Sequence, residues 1–280
     1  MNKQSELGPA KVAIVTGASS GIGAATASQL TAAGYRVYGT SRRGGRADNQ
    51  TFEMLTLDVT KDDSVASTVN EVISREGRID LLVNNAGFSL APAGAEESSI
   101  EQVQSIFNTN FFGMVRMTHA VLPYMRKQTT GRIINIGSIV GFLPAPFMAF
   151  YSATKHAVEG YSESLDHEVR LWGIRAVVVE PAGTNTPIDS NAPEADSQLD
   201  VYHDARNIVG QRLTAMIENG DSPSDVAEVV LKAAIAVRPN ARYTVGSEAR
   251  KLRFLRTFAP AGMVDAALRK QMGLNTVPKR

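Results

Sequence analysis

Two side chains in the middle of the sequence have the types and the spacing needed for proton transfer. Tyr151 and Lys155 lie four residues apart in a segment with helical periodicity, so they fall on the same face of the predicted helix. A free tyrosine has a pKa of about 10, and a neighbouring ammonium group lowers it by favouring the phenolate. Tyr151 is therefore a candidate proton donor and acceptor for a substrate oxygen. Tyrosine–lysine pairs are also common on ordinary helix surfaces.

Ser138 adds a hydroxyl group near the same predicted helix. It comes just after a predicted buried strand, and ligands of parallel α/β sheets gather at the carboxyl ends of strands. Its hydroxyl is suited to holding a substrate carbonyl oxygen. Because Ser138 follows Gly137, a simple turn is the alternative interpretation.

A glycine-rich segment lies between the first predicted strand and an alanine-rich predicted helix over residues 24–33. Residues 16–23 read TGASSGIG. Glycine permits a tight turn and the close approach of a pyrophosphate, and the start of the following helix offers free N–H groups and a positive dipole end. Glycine clusters also occur in turns without a ligand, but the position between strand and helix favours a dinucleotide site.

The end of the second predicted strand indicates which dinucleotide is bound. An acidic residue in this region normally binds the ribose 2′-hydroxyl of NAD. The sequence reads Thr40-Ser41-Arg42-Arg43 there, without a carboxylate. The planar guanidinium of Arg42 can pair with a 2′-phosphate, with Arg43 or Arg46 assisting. A solvated basic loop is the alternative, but the pattern favours NADP(H) over NAD(H).

The elements that must position these residues alternate between strand and helix. Helices are predicted near residues 62–75, over 100–125, over 150–171 and over 223–237. The predicted strands are continuously apolar, which indicates burial on both faces and a parallel sheet. They cover residues 12–16, 36–40, 52–57, 79–83, 132–136, 174–179 and 242–245. The pattern predicts an α/β fold, a single doubly wound Rossmann domain with a mostly parallel seven-stranded sheet flanked by helices.

The same pattern suggests how the chain is organised. Residues 1–10 are expected to form a flexible N-terminus and residues 11–250 the catalytic domain. The alternation breaks after Pro181, where residues 182–206 predict a long loop before a helix over 208–218. Long loops in compact domains are often functional, so a substrate loop is expected over about residues 187–220. Residues 251–280 are predicted to form a basic, helical C-terminal extension.

Composition excludes several classes of protein. The 280 residues include no cysteine, which excludes a disulfide scaffold, a thiol nucleophile and a cysteine-ligated metal site. The four histidines stand apart, so no metal is expected. A net charge of +1 argues against a nucleic-acid partner. No signal peptide and no apolar run of roughly 18 residues is visible, so we expect a soluble cytoplasmic protein.

Together these residues resemble the classical short-chain dehydrogenase/reductase family. The matching motifs are the glycine-rich segment TGxxxGxG over residues 16–23, Asn84-Asn85-Ala86-Gly87, Ser138, and Tyr151-x-x-x-Lys155. They occur in the family's order and at its spacings, and the likeness covers nearly all of residues 10–250. The regions around Arg42, the Tyr151 helix and the C-terminal extension are also similar to hydroxysteroid and retinol dehydrogenase-like members.

The resemblance implies a role for each matching residue. Tyr151 would be the catalytic acid/base, Lys155 would lower its pKa and hold the nicotinamide ribose, and Ser138 would orient the substrate oxygen. Asn110 matches a helix asparagine that holds a water in a proton relay, although its neighbour Asn108 is an alternative.

The resemblance also implies a set of cofactor contacts. Asp58 matches a residue near the adenine, while a helix-capping role beside Thr60 is the alternative. The expected cofactor-binding residues are Gly17, Ser19, Ser20, Gly21, Ile22, Gly23, Ser41, Arg42, Asp58, Val59, Asn85, Ala86, Gly87, Tyr151, Lys155, Pro181, Gly183, Thr184 and Thr186.

One departure from the family pattern follows the sixth predicted strand. The family usually has Pro-Gly followed by a threonine, whereas this sequence reads PAGTNT over residues 181–186. The glycine is displaced by one position. Thr186 keeps its place as an expected contact of the nicotinamide amide.

These observations predict an oxidoreductase that transfers a hydride between NADP(H) and a carbonyl or secondary alcohol. Residues 139–144 and 146–150 are largely apolar, which favours a lipophilic small-molecule substrate over ordinary packing beneath a loop. The alternative is a regulatory or scaffold protein that binds NADP without turnover, but it predicts a broken set of Ser138, Tyr151 and Lys155. The helices over 100–127 and 151–171 resemble the family's dimer-forming helices, so a homodimer or homotetramer is expected.

The C-terminal region carries a further signal. Residues 238–280 contain ten lysines and arginines against Glu248 and Asp265. Leu252, Leu255 and Phe258 recur at helical spacing beside these charges, and such a segment can lie on an anionic membrane surface. A helix packed on the domain with its basic side in water is more usual, so a membrane surface is not the favoured partner.

Overall fold

The apolar runs form one parallel, seven-stranded sheet in the computed structural model, which describes residues 10–44, 51–186 and 192–275. The strands are β1 (Val12–Val15), β2 (Arg36–Ser41), β3 (Glu53–Thr56), β4 (Leu81–Asn84), β5 (Gly131–Ile136), β6 (Ile174–Glu180) and β7 (Arg242–Thr244). Their order is β3-β2-β1-β4-β5-β6-β7, and every neighbouring pair is parallel. The predicted doubly wound α/β fold is therefore confirmed.

The described helices cover both faces of this sheet. They are α1 (Gly21–Ala32), α2 (Asp62–Glu76), α3 (Ile100–Phe107), α4 (Gly113–Gln128), α5 (Ala149–Val169), α6 (His203–Glu218), α7 (Pro223–Ile235), α8 (Gly246–Phe258) and α9 (Ala261–Gln271). Apolar residues of α2, α4 and α5 pack on one face of the sheet, and those of α1 and α7 pack on the other. None of the helices in the described ranges combines the length and the apolar character needed to cross a bilayer.

The strand order reverses between β1 and β4, which are hydrogen-bonded neighbours. The chain moves outward from β1 to β3 and then returns across the sheet to β4. In open α/β sheets, ligands bind beyond the carboxyl ends of the strands at such a reversal. The glycine-rich segment follows β1 and Asn84 ends β4, so both lie at this position.

Helix α1 and the segment of α3 and α4 differ from the sequence-based expectation. Helix α1 begins at Gly21 rather than at residue 24, because Ser20 has extended backbone angles and is the N-cap. The single helix expected over residues 100–125 is interrupted by a five-residue π-helical turn, Asn108–Phe112, between α3 and α4. Turns of this kind are rare within helices and are frequent at functional sites.

The described end of the predicted loop over residues 182–206 forms regular structure. A short 3₁₀ turn covers Asp200–Tyr202, and α6 begins at His203, earlier than the expected residue 208. Helix α8 begins at Gly246 and crosses the predicted boundary at residue 250. Arg46, residues 1–9, residues 187–191 of the expected substrate loop, and residues 276–280 lie outside the described residues.

Candidate active site

Ser138, Tyr151 and Lys155 line one cavity at the carboxyl edge of the sheet. Ser138 lies two residues beyond β5 and caps a 3₁₀ turn, where its hydroxyl oxygen accepts a hydrogen bond from the Val140 N–H at 3.3 Å. Tyr151 and Lys155 lie in the first two turns of α5. Ser138 therefore takes part in a turn, as the alternative interpretation expected, and it also lines the cavity.

Lys155 is buried beside the ring of Tyr151. Its Nζ lies 5.6 Å from the centre of the ring and donates a hydrogen bond to the carbonyl oxygen of Ile136 at 2.8 Å. Burial lowers the pKa of Lys155 to about 8, and the negative charge of Glu159 partly offsets this effect. At neutral pH the ammonium form still predominates, so a positive charge is held near the phenol.

Asn110 lies in the π-helical turn, and its side chain fixes the segment that follows β4. Its Oδ1 accepts from the N–H of Phe88 at 3.0 Å, and its Nδ2 donates to the carbonyl oxygen of Phe88 at 2.9 Å. Asn110 is buried, whereas Asn108, the alternative raised by the sequence, is only partly buried. Asn110 also lines a small cavity together with Lys155, and Asn108 does not.

A second, small polar cavity lies between Asn110 and Lys155. It measures about 10 Å³ for water-sized spheres and is also lined by Thr16 and Asn84, so it has room for about one water molecule. Among the described residues, the Oδ1 of Asn84 is a buried acceptor without a hydrogen-bond partner. A water in this cavity would satisfy that oxygen and connect it to the neighbourhood of the lysine.

The glycine-rich turn depends on two positions where no side chain fits. Gly17 has φ of +67°, a left-handed conformation that favours glycine. A Cβ on Gly23 would lie 2.2 Å from the carbonyl oxygen of Gly17. The Nδ2 of Asn85 donates to the carbonyl oxygens of Thr16 and Gly17 at 2.9 and 3.0 Å, which ties the turn to the end of β4.

The start of α1 offers free donors to an anion. Because the helix begins after Ser20, the N–H groups of Gly21, Ile22 and Gly23 have no acceptor within the helix. Ser19 and Ser20 are exposed at the same end. Bare backbone, a tight turn and a helix N-terminus together fit the pyrophosphate of a dinucleotide.

The residues expected at the adenosine end lie at the ends of β2 and β3. Arg42 is exposed directly after β2, and the strand ends without a carboxylate. The Oδ1 of Asp58 accepts from the N–H and hydroxyl of Thr60 at 2.9 and 2.7 Å. These bonds hold the pKa of Asp58 below its usual range, and the charges of Lys61 and Arg42 act in the same direction. Asp58 therefore holds the turn at Thr60 but does not cap α2, whose N-cap is Lys61, so the helix-capping alternative is wrong.

The segment with the displaced glycine closes the other end of the cavity. Pro181, Gly183, Thr184 and Thr186 all line it. A Cβ on Gly183 would lie 2.7 Å from the carbonyl oxygen of Met216, near the end of α6. Glycine is therefore needed at 183 because α6 packs against the backbone there, a reason that the sequence alone does not reveal.

An outer wall of the cavity was not predicted from the sequence. It comes from α6, α8, α9 and the turn after α9, and it consists of Leu213, Met216, Ile217, Leu252, Leu268, Gln271 and Met272. Of the apolar segment expected to flank the site, Ile139, Val140, Leu143 and Met148 also line the cavity. The only available signal was apolar spacing in the C-terminal helices, which does not indicate where a helix docks.

A cluster of buried ionisable side chains links this wall to the sheet. Glu180, at the end of β6, has no exposed surface, and its Oε1 accepts from Nη1 of Arg253 on α8 at 2.5 Å. Burial and the neighbouring carboxylate of Glu159 raise the pKa of Glu180 to about 8, against the opposing effect of Arg253 and Arg242. The Oε2 of Glu159 accepts from Nε of Arg242 at 3.0 Å. No local pattern in the sequence indicates that these residues meet.

Comparison with known proteins places the chain in a family. The model of the family described as "short chain dehydrogenase" matches residues 11–197, more than half of the chain. The 3-ketodihydrosphingosine reductase of Bacteroides thetaiotaomicron is 39% identical over 262 residues, which cover 92% of this chain and 97% of that protein. Bovine retinol dehydrogenase 8 is 33% identical over 273 residues, 90% of this chain and 86% of that protein.

Solved structures agree with this result. A short-chain dehydrogenase from Streptomyces avermitilis superposes with a TM-score of 0.80 at 31% identity, covering 98% of this chain and all of that one. A 3-ketoacyl-(acyl-carrier-protein) reductase from Brucella melitensis in complex with NADH superposes with a TM-score of 0.70 at 26% identity, covering 84% and 96% of the two chains. A serine dehydrogenase in complex with NADP⁺ superposes with a TM-score of 0.70 at 25% identity, covering 84% and 94%.

The chain belongs to the short-chain dehydrogenase/reductase family, as the sequence motifs predicted. It is therefore an oxidoreductase of alcohol and carbonyl groups that uses a nicotinamide dinucleotide. Its structural neighbours hold either NADH or NADP⁺, so they do not distinguish between the two cofactors.

Proposed function

We propose that the protein transfers a hydride between NADP(H) and the carbonyl or secondary alcohol of a lipophilic molecule, with Tyr151 as the acid/base. The main support for this proposal is the lining of the cavity. Ser138, Tyr151 and Lys155 share a cavity with Thr184 and Thr186, and its outer wall is apolar except for Gln271. The reacting groups and an apolar ligand-binding surface thus meet in one space.

The residues around the glycine-rich turn fit the cofactor that this reaction needs. The N–H groups at the start of α1 would hold the pyrophosphate, Asp58 and Val59 would lie near the adenine, and residues 85–87 would line the cofactor. Gly183, Thr184 and Thr186 would contact the nicotinamide. When bound, NADP(H) supplies or accepts a hydride at C4 of its nicotinamide.

The side chains of the cavity supply the proton and hold the substrate. In the reducing direction, Ser138 donates a hydrogen bond to the carbonyl oxygen, and Tyr151 gives its phenolic proton to that oxygen as the carbon becomes a carbinol. The ammonium of Lys155 stabilises the phenolate that remains. In the oxidising direction, the phenolate of Tyr151 removes the hydroxyl proton.

Asn110 is proposed to complete the path by which the proton is replaced. The small cavity beside Lys155 has room for about one water and contains an unpaired acceptor on Asn84. Asn110 lies at its wall and keeps the π-helical turn against Phe88. A water in this cavity would link Lys155 to the side chains of Asn84 and Asn110.

The preference for NADP(H) rests on Arg42. Its guanidinium is exposed at the end of β2, at the position where NAD-binding proteins normally carry an acidic residue. A planar guanidinium pairs with a phosphate through parallel hydrogen bonds. We expect Arg42→Glu to reduce kcat/KM for NADPH by at least about tenfold and to raise that for NADH, because a carboxylate repels the 2′-phosphate and accepts from a 2′-hydroxyl. Equal use of both cofactors by the wild type would remove this role.

The lipophilic substrate is supported by two independent observations. The outer wall and the segment after Ser138 expose mainly aliphatic and methionine side chains to the cavity. Two relatives that span most of this chain are a reductase of 3-ketodihydrosphingosine and a dehydrogenase of retinol, both lipophilic compounds. A homodimer or homotetramer through the helices over residues 100–127 and 151–171 stays a prediction, as does a cytoplasmic location.

A substrate panel tests the proposal. Purified protein would be assayed with NADPH and with NADH against ketones and secondary alcohols that differ in chain length and polarity. We expect turnover with NADPH and a kcat/KM that rises with the apolar length of the ketone. Turnover of small polar ketones alone would contradict the lipophilic substrate.

A further inference from the structure

The outward face of α8 exposes large apolar side chains. Phe254, Leu255 and Phe258 are 64%, 50% and 71% exposed, and the rings of Phe254 and Phe258 lie 4.8 Å apart. Met263, in the first turn of α9, is exposed as well. Exposed apolar groups that cluster in this way mark interaction sites more often than isolated ones do.

The inward face of α8 has the opposite character. At 100° per residue, positions 249, 252, 253 and 256 share one side of the helix, and positions 254 and 258 lie on the other. Ala249 is buried, Leu252 lines the cavity, Arg253 pairs with Glu180, and Arg256 donates to the carbonyl oxygen of Phe142 at 3.2 Å.

This arrangement differs from that of an ordinary surface helix, which turns its apolar side inward and its charges to water. Helix α8 uses two arginines for inward contacts and leaves two phenylalanines outside. If α8 were an ordinary packed helix, Leu255 and Phe258 would be buried; both are exposed. Packing on the domain therefore does not account for them.

Basic residues accompany the exposed apolar ones. Arg250 and Lys251 lie one turn before Phe254 and Leu255 on the same side, and both are exposed. Residues 246–271 contain six lysines and arginines against two acidic residues. We propose that the α8 face, defined as Arg250, Lys251, Phe254, Leu255 and Phe258, is a docking surface for an anionic lipid membrane.

Charge favours lipid over a second copy of the chain. A two-fold contact through the α8 face would bring the face against itself and oppose like charges on Arg250 and Lys251. An anionic bilayer offers the complementary arrangement. Lysine and arginine meet its headgroups, and phenylalanine and leucine enter the boundary with the acyl chains.

The docking surface also lies on the helices that form the mouth of the cavity. Leu252 of α8 and Leu268 and Gln271 of α9 belong to the outer wall. A lipophilic substrate would then pass from the bilayer into the cavity beside these residues. This second step rests on the proposed function, whereas membrane docking itself does not.

Vesicle sedimentation of the full chain tests the proposal. Vesicles of phosphatidylcholine mixed with phosphatidylglycerol would be compared with vesicles of phosphatidylcholine alone, for the wild type, Phe254→Ser/Phe258→Ser and Arg250→Glu/Lys251→Glu. We expect the wild type to bind the anionic vesicles and to release them as salt rises. The serine variant should bind at least about tenfold more weakly, and the charge-reversed variant about a hundredfold more weakly.

Matched control variants test whether a loss of vesicle binding is specific to the α8 face or follows from any similar substitution on the protein surface. Leu171→Ser removes an apolar side chain that is 84% exposed outside the α8 face. Lys11→Glu/Lys127→Glu makes the same change of charge at the amino edge of the sheet. Both control variants should bind anionic vesicles as the wild type does, and all variants should keep the wild-type kcat/KM for a water-soluble ketone.

Three results would overturn the proposal. They are equal binding of the wild type to both kinds of vesicle, no binding to either, or equal binding of the wild type and both α8 variants to the anionic vesicles. If light scattering showed instead that the serine variant loses subunits while vesicles do not bind, the face would be a contact between copies. Lack of turnover in every variant would contradict the proposed function and leave the vesicle result standing.

Discussion

The glycine-rich turn and the outer wall offer physically different surfaces to a ligand. The turn presents backbone, and Gly23 is required because any Cβ there meets the carbonyl oxygen of Gly17. The outer wall presents side chains from three helices, which are brought to the cavity by contacts such as Arg253 with Glu180. The family model ends at residue 197, before the first residue of the outer wall. The glycine-rich turn thus lies within the part of the chain that the family model covers, whereas the outer wall lies beyond it, and we propose that this wall selects the substrate.

The largest effect is expected at Tyr151, whose side chain lines the cavity. Tyr151→Phe removes the transferable proton and keeps the ring, so kcat should fall on the order of a thousandfold while the Kd for NADPH stays within about twofold. Stopped-flow turnover and cofactor fluorescence would measure the two quantities. A variant with full turnover would show that the proton comes from another group.

A change in the glycine-rich turn should affect cofactor binding and stability together. Gly23→Ala places a methyl group against fixed backbone, so we expect a loss of about 1–3 kcal/mol in the free energy of unfolding. The Kd for NADPH should also rise, since the start of α1 must move. Gly160→Ala is the control, because nothing lies within 4 Å of its Cβ position in α5. Equal stability of the two variants would contradict the close approach at Gly23.

A change in the outer wall should affect only the substrate. Leu268→Ala removes apolar surface from the cavity, so kcat/KM for a long-chain ketone should fall by about tenfold. The Kd for NADPH and the kcat/KM for a short ketone should not change. Val264→Ala, on the same helix but outside the cavity lining, is the control. Parallel losses for both ketones would mean that the wall supports the fold and does not select the substrate.

The smallest effect is expected at Glu180, which holds the outer wall on the sheet through Arg253. Because the pKa of Glu180 is raised to about 8, the folded chain holds a proton that the unfolded chain releases above its ordinary pKa near 4.5. The proton therefore contributes its full stabilisation to the fold below about pH 4.5, and this contribution is lost as the pH rises toward about 8. Glu180→Gln should therefore make the decline in the free energy of unfolding between about pH 5 and pH 8 shallower. Urea unfolding at several pH values measures this, and an unchanged decline would place the proton elsewhere.

The same contrast explains what could be predicted from the sequence. The fold and the residues of the turn follow from local features: continuous apolar runs, glycines between strand and helix, and polar residues at strand ends. The outer wall depends on where α6, α8 and α9 dock, and no local pattern connects Arg253 with Glu180 across 73 positions. The π-helical turn at Asn110 was also missed, because its apolar pattern resembles that of a continuous helix.

Isotope transfer would show directly whether the protein moves a hydride from NADPH to a ketone. The protein would be incubated with NADPH carrying deuterium at both C4 positions and a long-chain ketone, and the alcohol would be analysed by mass spectrometry. We expect one deuterium on the carbinol carbon of the product, and we expect this labelled alcohol to form faster from deuterated NADPH than from deuterated NADH. Bound NADPH without any labelled alcohol, across ketones of every chain length, would contradict it and would favour a protein that binds the cofactor without turnover.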